Sequence, residues 1–336
     1  MATPTQEKVF PNEEKLKLPR PFILRRLHSL LGIWLAIYLF EHLLVNSQAA
    51  FFYKDDGQSF VSMVNKIHDL AFLRVIEVVF LGLPFLIHGL WGISYLWTGK
   101  LNAHRTNGTS PSLPQYRRNR AYSWQRISSW ILLVGIIAHV IHMRFLENPA
   151  HAQFGDREYY MVRLDYDTAL PLTAEKLHTS LYSTAQIQER QAELETEQSE
   201  LNKLKDQSPE YEEDDPYHEL FGEVTEEQDW LKAAQKTPLK KGQVLAVAPS
   251  AGAAFLLVVR ETFKSPLMVI LYSILVVAAA YHGFNGLWTF LITWGITLTR
   301  RSQKRIYWVT TTLMGVVMFL GLLSAWGTYW TTLFQR

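Results

Sequence analysis

Ala278–Arg301 reads AAAYHGFNGLWTFLITWGITLTRR. With the apolar residues ahead of it, this run is long enough to cross a bilayer, yet it carries His282 and Asn285. An ionisable side chain inside hydrocarbon costs several kcal/mol, so a histidine kept there reads as functional. Taken singly, such a residue is as readily a plain donor to a carbonyl on a neighbouring helix. It does not stand singly. His42, His88 and His139 lie in three other long apolar runs, one in each.

Five stretches of this 336-residue chain have the length and apolarity of membrane spans: Leu27–Phe51, Phe72–Thr98, Ser123–Leu146, Leu267–Leu298 and Ile306–Phe334. Each reaches the roughly 20 residues that cross about 30 Å of hydrocarbon. Most of the 11 tryptophans fall near the ends of these stretches, where amphipathic rings settle among headgroups. The fold class expected is therefore all-α, a polytopic membrane bundle of five transmembrane helices with an extramembrane helical insertion. Its parts are a polar N-terminal tail over 1–20, three spans over 21–146, the insertion over 147–264 and two spans over 265–336. The first span follows 26 mostly polar residues, so no cleaved signal is expected.

The connection over 99–124 carries Lys100, Arg105, Arg117, Arg118 and Arg120 without an acid. The one over 299–306 carries Arg300, Arg301, Lys304 and Arg305, again without an acid. By contrast, 51–71 sets two lysines against three aspartates. The positive-inside bias then puts the basic connections and the N-terminus in the cytoplasm and the insertion outside. With no cysteine in the chain, disulfides, cysteine-held iron–sulfur clusters and covalently attached c-type haem are excluded. No motif for nucleic-acid binding is present.

The insertion holds 23 acidic and 12 basic residues. Ile187, Leu194 and Leu201 recur at seven-residue spacing in a stretch, about Thr173–Gln207, rich in Gln, Glu, Leu and Lys, which predicts a surface helix with a weak coiled-coil seam. The polar 208–216 run breaks it, and 217–236 folds back as a second helix. The apolar 243–263 stretch is cut by Pro249 and too short for a span, so it is expected to lie at the outer interface. A solvated hairpin of this kind would be dispensable for whatever the histidines hold.

Depth groups those histidines. His42 lies about 22 Å into its span and His139 about 24 Å into its own, both counted from the inner side at 1.5 Å per residue. His88 and His282 lie about 22–24 Å in from the outer side by the same rise. Each level thus receives two imidazoles from different helices, the geometry of a bis-histidine haem b. Gly89, Gly92, Gly135, Gly283 and Gly286 beside them leave room for a flat macrocycle, although small residues also serve helix packing. Partners for haem propionates are at hand: His28, Ser29, Trp124 and Arg126 toward the inner haem and Arg144 toward the outer. His142 is turned from His139 by about 300° and lifted about 4.5 Å, so it reads as a plain interfacial histidine.

A di-metal oxidase would place histidines at i, i+3 or i+4 beside carboxylates, and only His139 and His142 have that spacing. A zinc hydrolase motif such as HExxH is absent. A membrane transporter or proton channel using intramembrane histidines is the main alternative. Broken helices around a midplane site are hinted at only by Pro84 and the glycines.

Several segments resemble the cytochrome b membrane-anchor subunit of succinate dehydrogenase, in its single-chain, five-helix, di-haem form related to the fumarate reductase anchor. They are RRLHSLLG from Arg25, EHLLVN from Glu41, LPFLIHGLWG from Leu83, Gln125-Arg126 followed by His139-Val140, and the SPLM…YHGFNGLW…TWGITLTRRSQ block from Ser265. The likeness spans about 21–146 and 264–334. It implies axial ligands at His42, His88, His139 and His282, two haem b groups, and a quinone, commonly menaquinone, as electron acceptor. It also implies flavoprotein and iron–sulfur subunits of succinate dehydrogenase on the cytoplasmic face of a bacterial inner membrane, and surrounding lipid. Succinate would be oxidised elsewhere in the complex. Asp69 and Glu77, the acids nearest the outer end of the second span, are candidates for exchanging quinone protons. The plainer reading leaves Asp69 as an interfacial carboxylate and pairs Glu77 with Arg74. Two departures stand out: the long acidic insertion, and Ala280 where a related fumarate reductase carries a proton-conducting glutamate.

Overall fold

A computed structural model describes residues 18–99, 103, 112–154, 157–207, 216–235 and 238–334. Most of the polar tail, the part of the basic connection holding Lys100 and Arg105, and the break at 208–215 lie outside those residues.

Among the described residues five helices are long and apolar enough to cross a membrane: Arg20–Phe51, Leu73–Thr98, Arg117–Leu146, Pro266–Thr293 and Arg300–Phe334. They fall on the five expected stretches, and the chain is a multi-pass membrane protein. The first, third and fifth begin at arginines several residues ahead of the apolar run. An arginine stem can lie along the helix while its guanidinium stays among headgroups. The fourth opens with Pro266 in its first turn, where a missing N–H costs nothing. Thr299 and Ser302 close a capping box at the start of the fifth.

The fourth span is the hub. It packs against the first, third and fifth, whereas the second leans mainly on the first. Lipid offers no hydrophobic gain between helices, so close approach must hold them, and small residues permit it. Ala278 and Ala280 are buried on this helix beside Phe284 and Trp288.

The insertion departs from the expected pair of helices. It contains a four-stranded antiparallel sheet: β1 (Ala150–Phe154), β2 (Arg157–Asp165), β3 (Ser180–Tyr182) and β4 (Gln243–Ala248), ordered β1-β2-β4-β3. The stretch expected at the outer interface is instead β4 followed by a buried helix, Ala251–Phe263, N-capped by Ser250. The difference has a physical cause. A half-buried strand alternates polar and apolar, but β4 is covered on both faces and so reads as an unbroken apolar run. Ala246 and Ala248 join Val162 and Leu164 of β2 against the helix Ala251–Phe263. Leu245 and Val247 join Met161 against the hairpin. The two helices of that hairpin are Thr184–Gln207 and Pro216–Gln235, with Ile187, Leu194 and Leu201 buried in the seam, and the first begins after β3 rather than near Thr173.

The first of these two clusters does not stop at the membrane surface. It takes in Val45 and Ala49 of the first span, Phe60, Val61 and Val64 of a loop helix (Gln58–His68), Val269 of the fourth span and Ala325 of the fifth. Gly252 marks the closest approach. A Cβ there would collide with the Val61 carbonyl oxygen, and the Gly252 amide donates to Asn65 Oδ1 at 2.7 Å. The sheet and the helix Ala251–Phe263 therefore form a cap fused to the bundle. The hairpin packs on the other face of the sheet.

A buried charge cluster clamps the cap. Arg260, 5% exposed, donates to both carboxylate oxygens of Asp167 at 2.8 and 2.9 Å. Lys264 Nζ lies 2.6 Å from Asp167 and 2.6 Å from Glu261. Burial raises the Asp167 carboxyl, but hydrogen bonds from Arg260 and Lys264 outweigh it and hold it well below the usual carboxylate range.

Replacing Thr184–Gln235 with a short Gly/Ser linker uncovers one face of the sheet but should leave the helix Ala251–Phe263 protected from protease, because its cluster with the bundle includes no hairpin residue. Asp167→Asn strips Arg260 of a buried partner and should destabilise the cap by about 3–5 kcal/mol, seen as rapid cleavage. Equal resistance of that variant and the parent would refute the clamp. The Asp167 pKa is depressed in the folded state, so its stabilisation is complete above the ordinary value of 3.8 and is lost as pH falls through the folded value. The parent cap should loosen only in strong acid, and the Asn variant should lack that step.

Candidate metal centres

The four intramembrane histidines meet as two pairs. His42 of the first span and His139 of the third, near the insertion, have ring centroids 6.0 Å apart and ring planes at 75°. His88 of the second and His282 of the fourth, toward the opposite basic end, lie 6.2 Å apart at 86°. Two metal–nitrogen bonds of about 2 Å leave about 2 Å for the two half-rings, so each gap fits one metal ion held by two imidazoles. Among the described residues no three or more His, Cys, Asp or Glu side chains gather as a metal cluster. Donors in twos suit a macrocycle that fills the equatorial positions itself.

In all four rings the chain takes up Nδ1. His88 Nδ1 lies 3.1 Å from the His28 carbonyl oxygen. His282 Nδ1 lies 3.2 Å from Ser129 Oγ and 3.4 Å from Ser128 Oγ. His139 Nδ1 is 3.2 Å from Tyr272 Oη, and His42 Nδ1 is 3.4 Å from Tyr38 Oη. A carbonyl only accepts, so His88 carries its proton on Nδ1 and presents a bare Nε2 lone pair. Metal-bound histidines are oriented in this way, by a partner on the other nitrogen.

Further residues support the pair at the basic end. A Cβ on Gly32 of the first span would come 3.0 Å from His88 Cε1, so a side chain there would press on the ring and shift it by a few tenths of an ångström. Gln125 donates to the His282 carbonyl at 3.0 Å and accepts from Asn285 at 2.6 Å, which accounts for the asparagine in the fourth span. His28 stacks on His88 with centroids 4.0 Å apart. Its edge meets Tyr95, whose carbonyl accepts from Arg126 at 3.4 Å. Among the described residues His28 Nδ1 and Arg126 Nε are buried without a partner, a costly arrangement that carboxylates on a bound macrocycle would relieve.

The other expected residues are placed differently. Ser29 Oγ is engaged, donating to the Arg26 carbonyl and accepting from Trp294 Nε1. Trp124 is exposed and lines a cavity with Arg117, Tyr281 and Trp288. Arg144 pairs with Glu77 at 2.8 Å, in place of the expected Arg74–Glu77 pair. Both sit on π-helical turns, Ile141–Leu146 and Ile76–Gly82, whose wider winding turns side chains away from α-helical register. Asp69 caps the loop helix and is exposed. His142 is no isolated interfacial histidine: its Nδ1 lies 3.4 Å from Tyr272 Oη.

Sequence reading passed over Tyr38, Gln125, Ser128, Ser129 and Tyr272 as partners of the histidines. The hydroxyls of SWQRISSW inside a span were a usable signal. Tyr272 had none, because its partners lie more than a hundred residues away.

The fold and the site define a class: a polytopic helical membrane protein whose intramembrane histidines pair across helices at two levels. Its particular likeness is to the succinate dehydrogenase cytochrome b558 subunit of Bacillus subtilis (strain 168), with 23% identity over 304 residues, 90% of this chain and 95% of that protein. The homology is distant but full-length. No family model and no solved structure matches the chain.

Proposed function

We propose that this chain is the di-haem cytochrome b anchor of a succinate:quinone oxidoreductase. The two histidine pairs carry the reading, with separations of 6.0 and 6.2 Å contributed by four different helices. Full-length likeness to a cytochrome b558 subunit favours haem b over another metal group. His42 and His139 hold one iron and His88 and His282 the other, with His28 and Arg126 set toward the carboxylates of the second. Bound there, haem b supplies one-electron chemistry that joins an iron–sulfur donor to a quinone, taken to be menaquinone.

The chain's own residues orient four imidazoles and shield them within the bundle. The basic connections, read as cytoplasmic, offer a surface of one charge sign to an iron–sulfur subunit, behind which a flavoprotein oxidises succinate. The chain then lies in a bacterial cytoplasmic membrane with its N-terminus inside. Asp69 and Glu77 are the acids assigned to quinone protons at the insertion end, Glu77 from within its pair with Arg144.

A reduced-minus-oxidised spectrum of the purified protein should show a b-type α-band, and its absence sinks the reading. His88→Leu and His282→Leu should each remove the same haem, and His42→Leu and His139→Leu the other. Spectrally different losses within a pair would break the pairing. Amides at Asp69 and Glu77 should lower quinone reduction several-fold while succinate oxidation by an artificial dye continues. Unchanged quinone turnover would remove these acids from the site.

A further inference from the structure

Tyr272, near the insertion end of the fourth span, touches two histidines of the third. Its Oη lies 3.2 Å from His139 Nδ1 and 3.4 Å from His142 Nδ1. A phenol has one proton, so it donates to one of these nitrogens and accepts from the other. On the haem reading above, His139 gives Nε2 to iron and keeps its proton on Nδ1. The direction follows. His139 Nδ1–H donates to Tyr272 Oη, Tyr272 O–H donates to His142 Nδ1, and His142 carries its own proton on Nε2. A hydroxyl that donates onward accepts more strongly, so His142 acts on His139 through the phenol.

Two features put these groups in place. The π-helical turn Ile141–Leu146 changes the facing that α-helical spacing would give His142. The cap then holds the tyrosine. Phe263, the last residue of the helix Ala251–Phe263, meets the Tyr272 ring edge-on with centroids 5.2 Å apart. Beside it, the Thr262 hydroxyl reaches Met143 Sδ, next to His142, at 4.0 Å.

We infer that Tyr272 is a positioning residue that sets the electron affinity of the insertion-end haem by linking His139 to His142, and that Phe263 of the cap holds it there. The inference rests on the proposed haem function and adds to it a task for the insertion. An imidazole whose Nδ1–H is drawn toward an acceptor is a more basic ligand and favours oxidised iron. Without the phenol, the reduced state gains.

The test is a redox titration of the purified membrane complex, following both haems by visible absorbance and by the EPR signals of their ferric forms. His139→Leu identifies the insertion-end signal by its loss. Tyr272→Phe should keep both haems, raise the midpoint of the insertion-end haem, alter its EPR signal and leave the other unmoved. His142→Leu should shift the same midpoint in the same direction by less. The double variant should match Tyr272→Phe alone, because His142 acts only through the phenol. Phe263→Ala should move that midpoint the same way. Unmoved midpoints, equal shifts of both haems, or additive effects in the double variant would overturn the inference, as would a silent Phe263→Ala for the cap's part. If Tyr272→Phe fails to assemble, the His142→Leu shift decides alone. A parent protein without b haem is a different result, since it removes the functional reading itself.

Discussion

An imidazole in hydrocarbon has two ring nitrogens to satisfy, and an unpartnered one is costly. Here the chain provides for Nδ1 in all four paired histidines: a backbone carbonyl for His88, serine hydroxyls for His282, and tyrosine hydroxyls for His139 and His42. The remaining nitrogens are left to whatever sits between the rings. Much of the membrane part follows from meeting that demand on four helices at two depths. Gly32 makes room for His88, and Gln125 ties the third span to the fourth at His282.

The two ends of the bundle are held by different forces. Between helices in lipid there is no water to expel, so small side chains and hydrogen bonds must suffice. At the insertion end there is water, and the chain uses it. One hydrophobic cluster runs from β2 and β4 through the helix Ala251–Phe263 into the first, fourth and fifth spans. Burial of apolar surface, the strongest drive available, thereby ties together helices that lipid alone would bind weakly. At the opposite end the contacts are polar and aromatic: Asn285 with Gln125, Arg26 over Trp294, Arg117 over Tyr307.

What was legible in the sequence divides along the same line. The five spans and the two levels of histidine are one-dimensional facts, since a helix converts residue number to depth at a fixed rise. In the structure His42 lies beside His139 and His88 beside His282, the grouping that residue counts along the helices also give. Contacts across helices were not legible in the same way. Glu77 was matched to its neighbour Arg74, but a π-helical turn on each helix brings it to Arg144 instead. The sheet was hidden for another reason: β4 is covered on both faces and lost the alternation that marks a strand. Its partner β2 lies some eighty residues upstream, across the hairpin that periodicity did reveal.

The groups that hold the ligands differ in kind between the two pairs. At the basic end His88 is oriented by a backbone carbonyl, which has no proton and moves only with its helix. At the insertion end both partners are phenols, Tyr38 and Tyr272, whose protons can be given or shared and whose rings need packing to stay put. The His28 carbonyl that serves His88, and the short serine side chains that serve His282, stay close to their own helices. Phenols on long side chains need more support, and it is at this end that the chain adds a cap with its own core and sets Phe263 against Tyr272. The insertion is thus placed where the histidines depend most on their neighbours.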